Sequence, residues 1–267
     1  MATNLTWTLP GATTYSLQTA DPTNGVITSH IYDDDMPDIR MNDYLLSRKD
    51  GAKFVSAFWG QKTISIDGLI KSVTASGLDG QIDLFKKQLY IRAAGALVVS
   101  RGTGDRLYPS YVKTVTIKRD SSDVTRAPFT VDFICEQGFG QEPTFTAFTT
   151  FSGVSAGTFQ FDVLTSGTAP FLPQINFKVN AASQLGNVTV NNVTTGGTIG
   201  LARPYSVGEL LQINTNQAQV LVAGSGITYS GVMPFFTAVS GVNTLIVTAQ
   251  SGTQTYDVSV NYIPQYL

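Results

Sequence analysis

Residues 76–92 read SGLDGQIDLFKKQLYIR, and in this stretch the hydrophobic pattern of the chain changes. Apolar side chains recur at spacings of four, three and four residues, which is the period of an amphipathic helix. They are Leu78, Ile82, Phe85 and Leu89. Acidic side chains stand early in the stretch and basic ones late, as the helix dipole favours. The pattern predicts one helix over about residues 78–92, capped by Ser76 or Asp79.

Elsewhere the pattern is typical of strands. Residues 62–70 alternate apolar and polar side chains, and the same period of two predicts strands over residues 96–101, 107–119 and 127–136. Beyond residue 143 we find no helical period, only seven or more short β-branched and aromatic runs separated by turn residues. The second half of the chain is therefore predicted to form an antiparallel β-sandwich.

The charged residues divide the chain into two parts. The sequence has 17 basic and 19 acidic side chains, and only five of them follow residue 142. These five are Asp162, Lys178, Arg203, Glu209 and Asp257. Residues 137–143, which contain Gly and Pro, have the composition of a linker. We therefore expect two domains, at residues 1–142 and 143–267.

Composition excludes several classes of function. The net charge is −2 and there is no basic stripe, so nothing favours specific binding to nucleic acid. No apolar stretch approaches the roughly 20 residues that span a bilayer, and the N-terminal residues lack the features of a secretory signal. The single cysteine and single histidine exclude a disulfide framework and multi-histidine or multi-cysteine metal sites.

Two patterns could carry nucleophilic catalysis, and we favour a structural interpretation of both. Residues 153–157, GVSAG, spell a nucleophile elbow around Ser155, but a strand pattern follows and no histidine stands downstream. A serine-rich turn fits better. His30 and Cys135 could form a thiolate–imidazole pair. However, Cys135 alternates in phase with apolar residues, so we expect a buried, inert thiol and a surface or interface histidine.

The acidic residues suggest further sites. The run Asp33, Asp34, Asp35 and Asp38 could bind a divalent cation, but it lacks the glycine and closing glutamate of a calcium loop. We expect a solvated acidic turn, or an electrostatic role at a subunit interface or channel wall. Asp162, Glu209 and Asp257 could supply a glycosidase pair only if folding placed two of them roughly 5–9.5 Å apart.

Several short motifs need no functional explanation. Three glycosylation sequons begin at Asn4, Asn187 and Asn192, and a chain rich in Asn and Thr contains such triplets by chance. The glycine-rich pieces at residues 102–105 and 224–226 lack the Lys-Ser/Thr of a phosphate loop, so turns suffice. We therefore assign no catalytic, cofactor-binding or metal-binding residue, and expect a protein that is not an enzyme and uses no cofactor.

The order of these patterns resembles one family. In the first half it is the strand at residues 62–70, the single helix, the hairpin region at 106–108 and the strand at 128–133. In the second half the matching segments are residues 169–177, 207–213, 233–236, 240–247 and 258–267. Together they resemble the distal tail proteins of long, non-contractile-tailed bacteriophages, the Dit family.

The resemblance implies a mostly β protein with two domains. The first is a β-barrel-like domain with one α-helix, six copies of which form a ring, and the second is a galectin-like antiparallel β-sandwich. Such a ring connects the tail tube protein to the baseplate hub, tail-tip or fibre proteins around a channel for DNA. It is located at the tail tip of the virion and is assembled in the host bacterial cytoplasm.

A second function stays open at this point. The C-terminal sandwich could be a carbohydrate-binding module that recognises the host surface. Sugar sites usually present an exposed aromatic ring, and both Trp7 and Trp59, as well as His30, lie outside the sandwich. The remaining candidates for such a ring are Tyr205, Tyr229, Phe235 and Phe236.

Overall fold

The chain forms two compact units, residues 1–141 with Leu267 and residues 142–266, and each has its own hydrophobic core. The computed structural model describes residues 5–10, 14–21, 23–33, 35–45, 52–89, 93–144, 146–155, 157–180, 187–215, 217–231, 241–249 and 255–267. Within these ranges no helix is long and apolar enough to cross a membrane.

The N-terminal unit contains ten strands and one helix among its described residues. They are β1 (Leu5–Thr8), β2 (Tyr15–Ser16), β3 (Gly25–Tyr32), β4 (Ile39–Leu45), β5 (Ala52–Trp59), β6 (Lys62–Lys71), α1 (Ala75–Leu89), β7 (Gly95–Arg101), β8 (Gly104–Ile117), β9 (Arg126–Cys135) and β10 (Gly140–Gln141). The main sheet is antiparallel in the order β2-β1-β7-β8-β9-β6-β3, and β10 pairs with β8.

Helix α1 packs on one face of this sheet. Its four buried residues are those of the sequence pattern: Leu78, Ile82, Phe85 and Leu89. The Phe85 ring lies 4.7 Å from the ring of Phe129 on β9, measured between centroids. Burial alternates along β6 and β9 because one face of each strand meets the helix and core. The prediction of a mostly β protein with one helix is confirmed.

The predicted start and cap of the helix were wrong. The helix begins at Ala75, and the hydroxyl oxygen of Thr74 accepts a hydrogen bond of 3.1 Å from the backbone N–H of Gly77. The first apolar residue of the pattern, Leu78, stands about one turn after the cap at Thr74. The position of the first apolar residue therefore did not predict the first helical residue. Asp79 lies beyond the first turn and pairs with Arg119 instead. Residues 90–92 of the predicted helix lie outside the described residues.

Strand pairing in the described residues does not close the N-terminal sheet into a barrel, because its path ends at β2 and β3. Residues 17–19 connect the two ends instead. The backbone N–H of Leu17 donates to the carbonyl of Leu5 on β1 at 2.8 Å. The backbone N–H of Thr19 donates to the carbonyl of Val26 on β3 at 2.7 Å. Residues 17–19 thus link the two ends of the sheet that strand pairing leaves open, and only in this sense does the unit resemble a barrel.

The second unit is an antiparallel sandwich, as predicted. Its strands are β11 (Thr146–Ser155), β12 (Gly157–Thr165), β13 (Gln174–Val179), β14 (Val188–Asn192), β15 (Gly197–Leu201), β16 (Leu210–Asn214), β17 (Gln219–Val222), β18 (Ser225–Gly226), β19 (Ser230–Gly231), β20 (Gly241–Ala249), β21 (Thr255–Tyr262) and β22 (Gln265–Tyr266). One sheet has the order β11-β21-β13-β16-β17-β18 and the other β12-β20-β14-β15-β19.

The core of the second unit draws on both sheets. Ile175 and Val258 from one sheet and Val190 and Val247 from the other are fully buried in a single cluster. The opposite faces of these strands carry mostly Thr, Asn, Gln and Ser, as the scarcity of charge in this half of the sequence indicated, with Leu164, Leu210 and Val242 among the exceptions. The galectin-like detail of the fold stays a prediction.

Candidate assembly surface

Strands β4 and β5 form a separate two-stranded hairpin. Their antiparallel register runs from Ile39 opposite Trp59 to Leu45 opposite Ala52. In the described part of the chain, neither strand pairs with the main sheet. A two-stranded hairpin without further packing is only marginally stable in water. The hairpin is therefore a candidate for contact with a second surface.

A buried charged group fixes the base of this hairpin. The carboxylate of Asp33, which is 7% exposed, forms an ion pair with Arg101, and the Asp33 backbone carbonyl accepts a hydrogen bond from Lys62 Nζ. Lys62 is buried, and its Nζ lies 5.9 Å from the centroid of the Tyr108 ring. Burial, and then the negative charge of Asp33, raise the pKa of Tyr108 to about 12. These contacts hold the chain where it leaves β3 and turns towards β4.

The acidic run at residues 33–38 is only partly the solvated turn that the sequence predicted. Asp35 and Asp38 are exposed, as expected, whereas Asp33 is buried. Asp33 lies beside two cations, which compensate for the loss of water around its carboxylate. Asp34 lies outside the described residues.

Exposed apolar side chains surround the hairpin base. We call Tyr32, Met36, Ile39 and Trp59 the hairpin-base patch; Met36 is 59% exposed and Ile39 is 53% exposed. Ile39 and Trp59 are cross-strand partners, and the Trp59 ring also meets the Phe139 ring edge-on at 5.8 Å. Single exposed apolar residues are common on soluble proteins, but a group of this size at one place marks an interaction surface.

A second apolar surface lies between α1 and β8. This groove, the α1–β8 groove, has a volume of about 470 Å³ and is lined by Ile82, Lys86, Val115, Ile117 and Arg119. Its floor is apolar and its rim carries two cations. The guanidinium of Arg119 pairs with Asp79, and both of these side chains are more than half exposed. An exposed pair of this kind contributes little to stability and can exchange partners at low cost.

His30 and Cys135 have the separate environments that the sequence predicted. His30 is exposed on β3, with its ring centroid 4.4 Å from that of Tyr32. It also lines a cleft of about 400 Å³ beside Arg101. Cys135 is 1% exposed in the core of the unit. No hydrogen bond or ring contact joins the two side chains within the described residues.

Burial controls the reactivity of the only thiol. Burial raises the pKa of Cys135 to about 12, so the nucleophilic thiolate is scarce near neutral pH. We predict that iodoacetamide at pH 8 alkylates the native protein at least about 100-fold more slowly than the urea-unfolded protein, where the pKa is about 8.5. Mass spectrometry of quenched samples measures both rates. Equal rates would contradict the burial of this side chain.

The catalytic candidates in the second unit occupy structural positions. Ser155 ends β11 and β12 begins at Gly157, so a strand follows the GVSAG motif where an elbow needs a helix. Ala156 lies outside the described residues. The motif is a connection between strands, in agreement with the sequence-based interpretation.

The three possible glycosidase carboxylates lie on different elements. Asp162 is on β12 of the five-stranded sheet, Asp257 is on β21 of the six-stranded sheet, and Glu209 precedes β16. Glu209 pairs with Arg203 at 2.9 Å. In the described residues, no two of these carboxylates share a hydrogen-bond partner.

The remaining short motifs lie at the ends of strands or in the turns between them where they are described. Asn192 is fully buried, and its side-chain oxygen accepts a hydrogen bond of 3.1 Å from the backbone N–H of Thr194. Asn187 is exposed, and Asn4 lies outside the described residues. The glycine-rich pieces at 102–105 and 224–226 link β7 to β8 and β17 to β18.

The aromatic candidates for a sugar site do not form an exposed platform. Tyr205 is fully buried, with the Arg203 guanidinium carbon 5.0 Å from its ring centroid, so it is a core residue and not an exposed platform. Tyr229 is partly buried, and its hydroxyl donates to the carbonyl of Ala218 at 3.2 Å. Phe235 and Phe236 lie outside the described residues.

Sequence reasoning missed the buried charges at the hairpin base, although a signal was present. Lys62 stands two residues before Ile64 and therefore shares the phase of the apolar residues on its strand. That alternation places it on the buried face. Asp33 carried no comparable signal, because its partner Arg101 is distant in sequence. The α1–β8 groove also had no signal in the sequence, because it is formed by a helix and a strand that come together only in the folded structure.

Comparison with known proteins gives a family match over part of the chain and a shared fold over nearly all of it. Residues 166–266 match the family model described as "Siphovirus-type tail component, C-terminal domain". The search of curated proteins gave no match.

Among solved structures, the crystal structure of the Dit protein (gp 19.1) of phage SPP1 superposes with a TM-score of 0.68. The match covers 98% of this chain and 99% of that one at 14% sequence identity, and it shows a shared fold. That protein is described as a paradigm of the hub adsorption apparatus in phages that infect Gram-positive bacteria. A chain of the phage P2 baseplate, in its activated conformation with calcium, gives a TM-score of 0.45 at 7% identity over 98% of this chain and 97% of that one.

Proposed function

Because residues 166–266 belong to the siphovirus-type tail components and the whole chain has the fold of a distal tail protein, we propose that it forms a hexameric ring at a phage tail tip. A structural role in the tail, and hence a place in the virion, follows from the family match, which also agrees with the expectation that the chain is not an enzyme. In the proposal the ring joins the tail tube protein to the baseplate hub or fibre proteins and encloses a channel for DNA. It is assembled in the host cytoplasm.

The observation that carries this proposal is the β4–β5 hairpin. It extends from a fixed base, has no strand partner in the described main sheet, and is bordered by the hairpin-base patch. A hairpin with unpaired strand edges, bordered by exposed apolar side chains, is an aggregation hazard on a monomer. Contact with a neighbouring copy covers it. We therefore assign ring formation to the N-terminal unit, residues 1–142.

Ring closure also suits the chemistry of the chain. A ring uses heterologous contacts, in which one patch of each copy meets a different patch of the next, and it closes when the rotation between copies closes. Residues 1–142 carry 31 of the 36 charged side chains, which can supply complementary pairs and register between copies. The overall charge of −2 gives little attraction for phosphates, as a channel that DNA must pass through requires.

Shortening the hairpin tests this proposal. Replacing residues 43–55 by Asn-Gly removes the outer part of the hairpin and keeps the Asn42–Ser56 pair next to a favourable turn. We predict that the full-length protein has a six-subunit mass by native mass spectrometry and that the shortened protein is monomeric. Thermal unfolding of both units serves as the folding control. A shortened protein that assembles like the wild type would contradict the role of the hairpin.

The carbohydrate-binding alternative has no comparable support. Every aromatic side chain of the second unit whose burial is described is buried or partly buried. Within the ring proposal, the sandwich at residues 143–267 faces outward and contacts other tail proteins.

A further inference from the structure

We propose that the acidic, apolar loop at residues 35–39 of one copy docks into the α1–β8 groove of the next copy in the ring. This inference rests on the proposed ring function and names the two surfaces that form its contact. It follows from the shape, polarity and charge of two patches that lie at opposite ends of the same sheet.

The loop has the character of an inserting segment. Met36 and Ile39 are both more than half exposed, and they alternate with the exposed carboxylates of Asp35 and Asp38. Pro37 between them is buried and restricts the backbone. Backbone hydrogen bonds join Asp38 to the residues before β6, and the ion pair with Arg101 holds Asp33, two residues before the loop. The loop is therefore presented in a fixed position, which lowers the entropic cost of docking.

The groove has complementary properties. Ile82, Val115 and Ile117 provide an apolar floor, and Lys86 and Arg119 place cations at its rim. Lys86 forms no ion pair with the described residues, and Arg119 is held only by the exposed carboxylate of Asp79. Two exposed apolar side chains can enter the groove while two carboxylates meet the cationic rim. Complementary charge of this kind fixes register and partner choice.

The loop of one copy lies too far from the groove of the same copy to dock into it. The loop lies near the start of β6, because Lys62 on that strand donates a hydrogen bond to Asp33 just before the loop. At this end of the sheet, Lys62 pairs with Cys135 on β9, and Cys135 pairs on its other side with Ser110 on β8. The groove lies at the other end, where Ile117 pairs with Phe129. Seven residues of strand separate the two ends, which is roughly 20 Å at about 3.3 Å per residue. The two patches are thus placed for contact between successive copies.

A second copy is also the occupant that the ring geometry needs. A head-to-tail contact requires two different and complementary patches on each chain, and the loop and the groove are such a pair. An unrelated partner would have no reason to match the charge of both.

Charge exchange tests the inference. Lys86→Glu, and separately Asp35→Lys with Asp38→Lys, place like charges against each other in the proposed contact. Each variant is expected to raise the dissociation constant of the ring about tenfold or more. Combining all three substitutions restores an opposite charge at position 86, while Arg119 keeps its own charge, so assembly is expected to recover at least about threefold relative to either reversal alone. Sedimentation velocity over a concentration series measures these constants.

Two further variants separate docking from general effects of charge. Lys87→Glu makes the same change of charge as Lys86→Glu, at a neighbouring exposed residue that does not line the groove. This variant is expected to assemble like the wild type. Met36→Ser removes the exposed apolar side chain without changing charge, and it is expected to weaken assembly. All these positions are exposed, and thermal unfolding checks that each variant folds.

The outcomes distinguish the inference from the proposed function. Loss of assembly in the single reversals, with recovery in the combination, supports the docking. A wild-type ring whose assembly is unaffected by Lys86→Glu, or affected equally by Lys87→Glu, overturns the docking and leaves the ring intact. A wild-type chain that stays monomeric at every concentration overturns both.

Discussion

Replacing Phe85 by alanine is expected to lower the free energy of unfolding of the N-terminal unit by about 3–5 kcal/mol. Phe85 is fully buried at the centre of the helix face. Its ring lies 4.7 Å from that of Phe129 and 6.3 Å from that of Tyr15. Because α1 is the only helix in the described part of this unit, no second helix can move in to fill the cavity.

Hydrogen exchange with mass spectrometry can assign this loss to the correct unit. Amides of β6 and β9 are expected to lose protection in Phe85→Ala, while those of the second unit serve as an internal reference. Leu84→Ala is the matched control, because Leu84 is the adjacent helical residue and is 42% exposed. A change within about 0.5 kcal/mol is expected there. Equal losses in the two variants would show that the helix does not pack as described.

Replacing Gly68 by valine is expected to destabilise the same unit by about 3 kcal/mol. Gly68 lies on β6, between β3 and β9. A Cβ atom at this position would come within 2.4 Å of the Ile27 carbonyl oxygen and 2.6 Å of the Phe129 ring. The carbonyl belongs to a paired strand and cannot move without breaking the ladder. The glycine is required for close packing of β6 beneath the helix.

Gly80→Ala gives the opposite expectation. A Cβ atom at Gly80 meets nothing within 4 Å, and alanine is favoured over glycine in a helix interior by about 1 kcal/mol. Chemical denaturation of the two variants, followed by a signal from the N-terminal unit, compares them directly. Destabilisation by Gly80→Ala, or tolerance of Gly68→Val, would contradict the placement of α1 on β6.

Periodic features were the ones that sequence reasoning could predict. The alternation at residues 127–136 identified β9 and the buried position of Cys135, because burial repeats every second residue along a strand. The helical period identified α1. The start of α1 was misplaced because Thr74, a polar cap, carries no part of that period.

The candidate surface was harder to predict, because its parts are distant in sequence. Asp33 is buried and pairs with Arg101, which is nearly 70 positions away in the sequence, so the sequence alone predicted that the whole acidic run was exposed to solvent. The α1–β8 groove likewise combines side chains from a helix and a strand. Only the family resemblance indicated that residues 1–142 form an assembly domain, and charge counting then agreed with it.

Electron cryo-microscopy of the purified full-length protein would show whether the ring forms. We expect ring-shaped particles with six-fold symmetry, a central channel, and the β4–β5 hairpin of each copy in contact with the N-terminal unit of its neighbour. Monomers, or closed particles in which the hairpin faces solvent, would contradict this expectation.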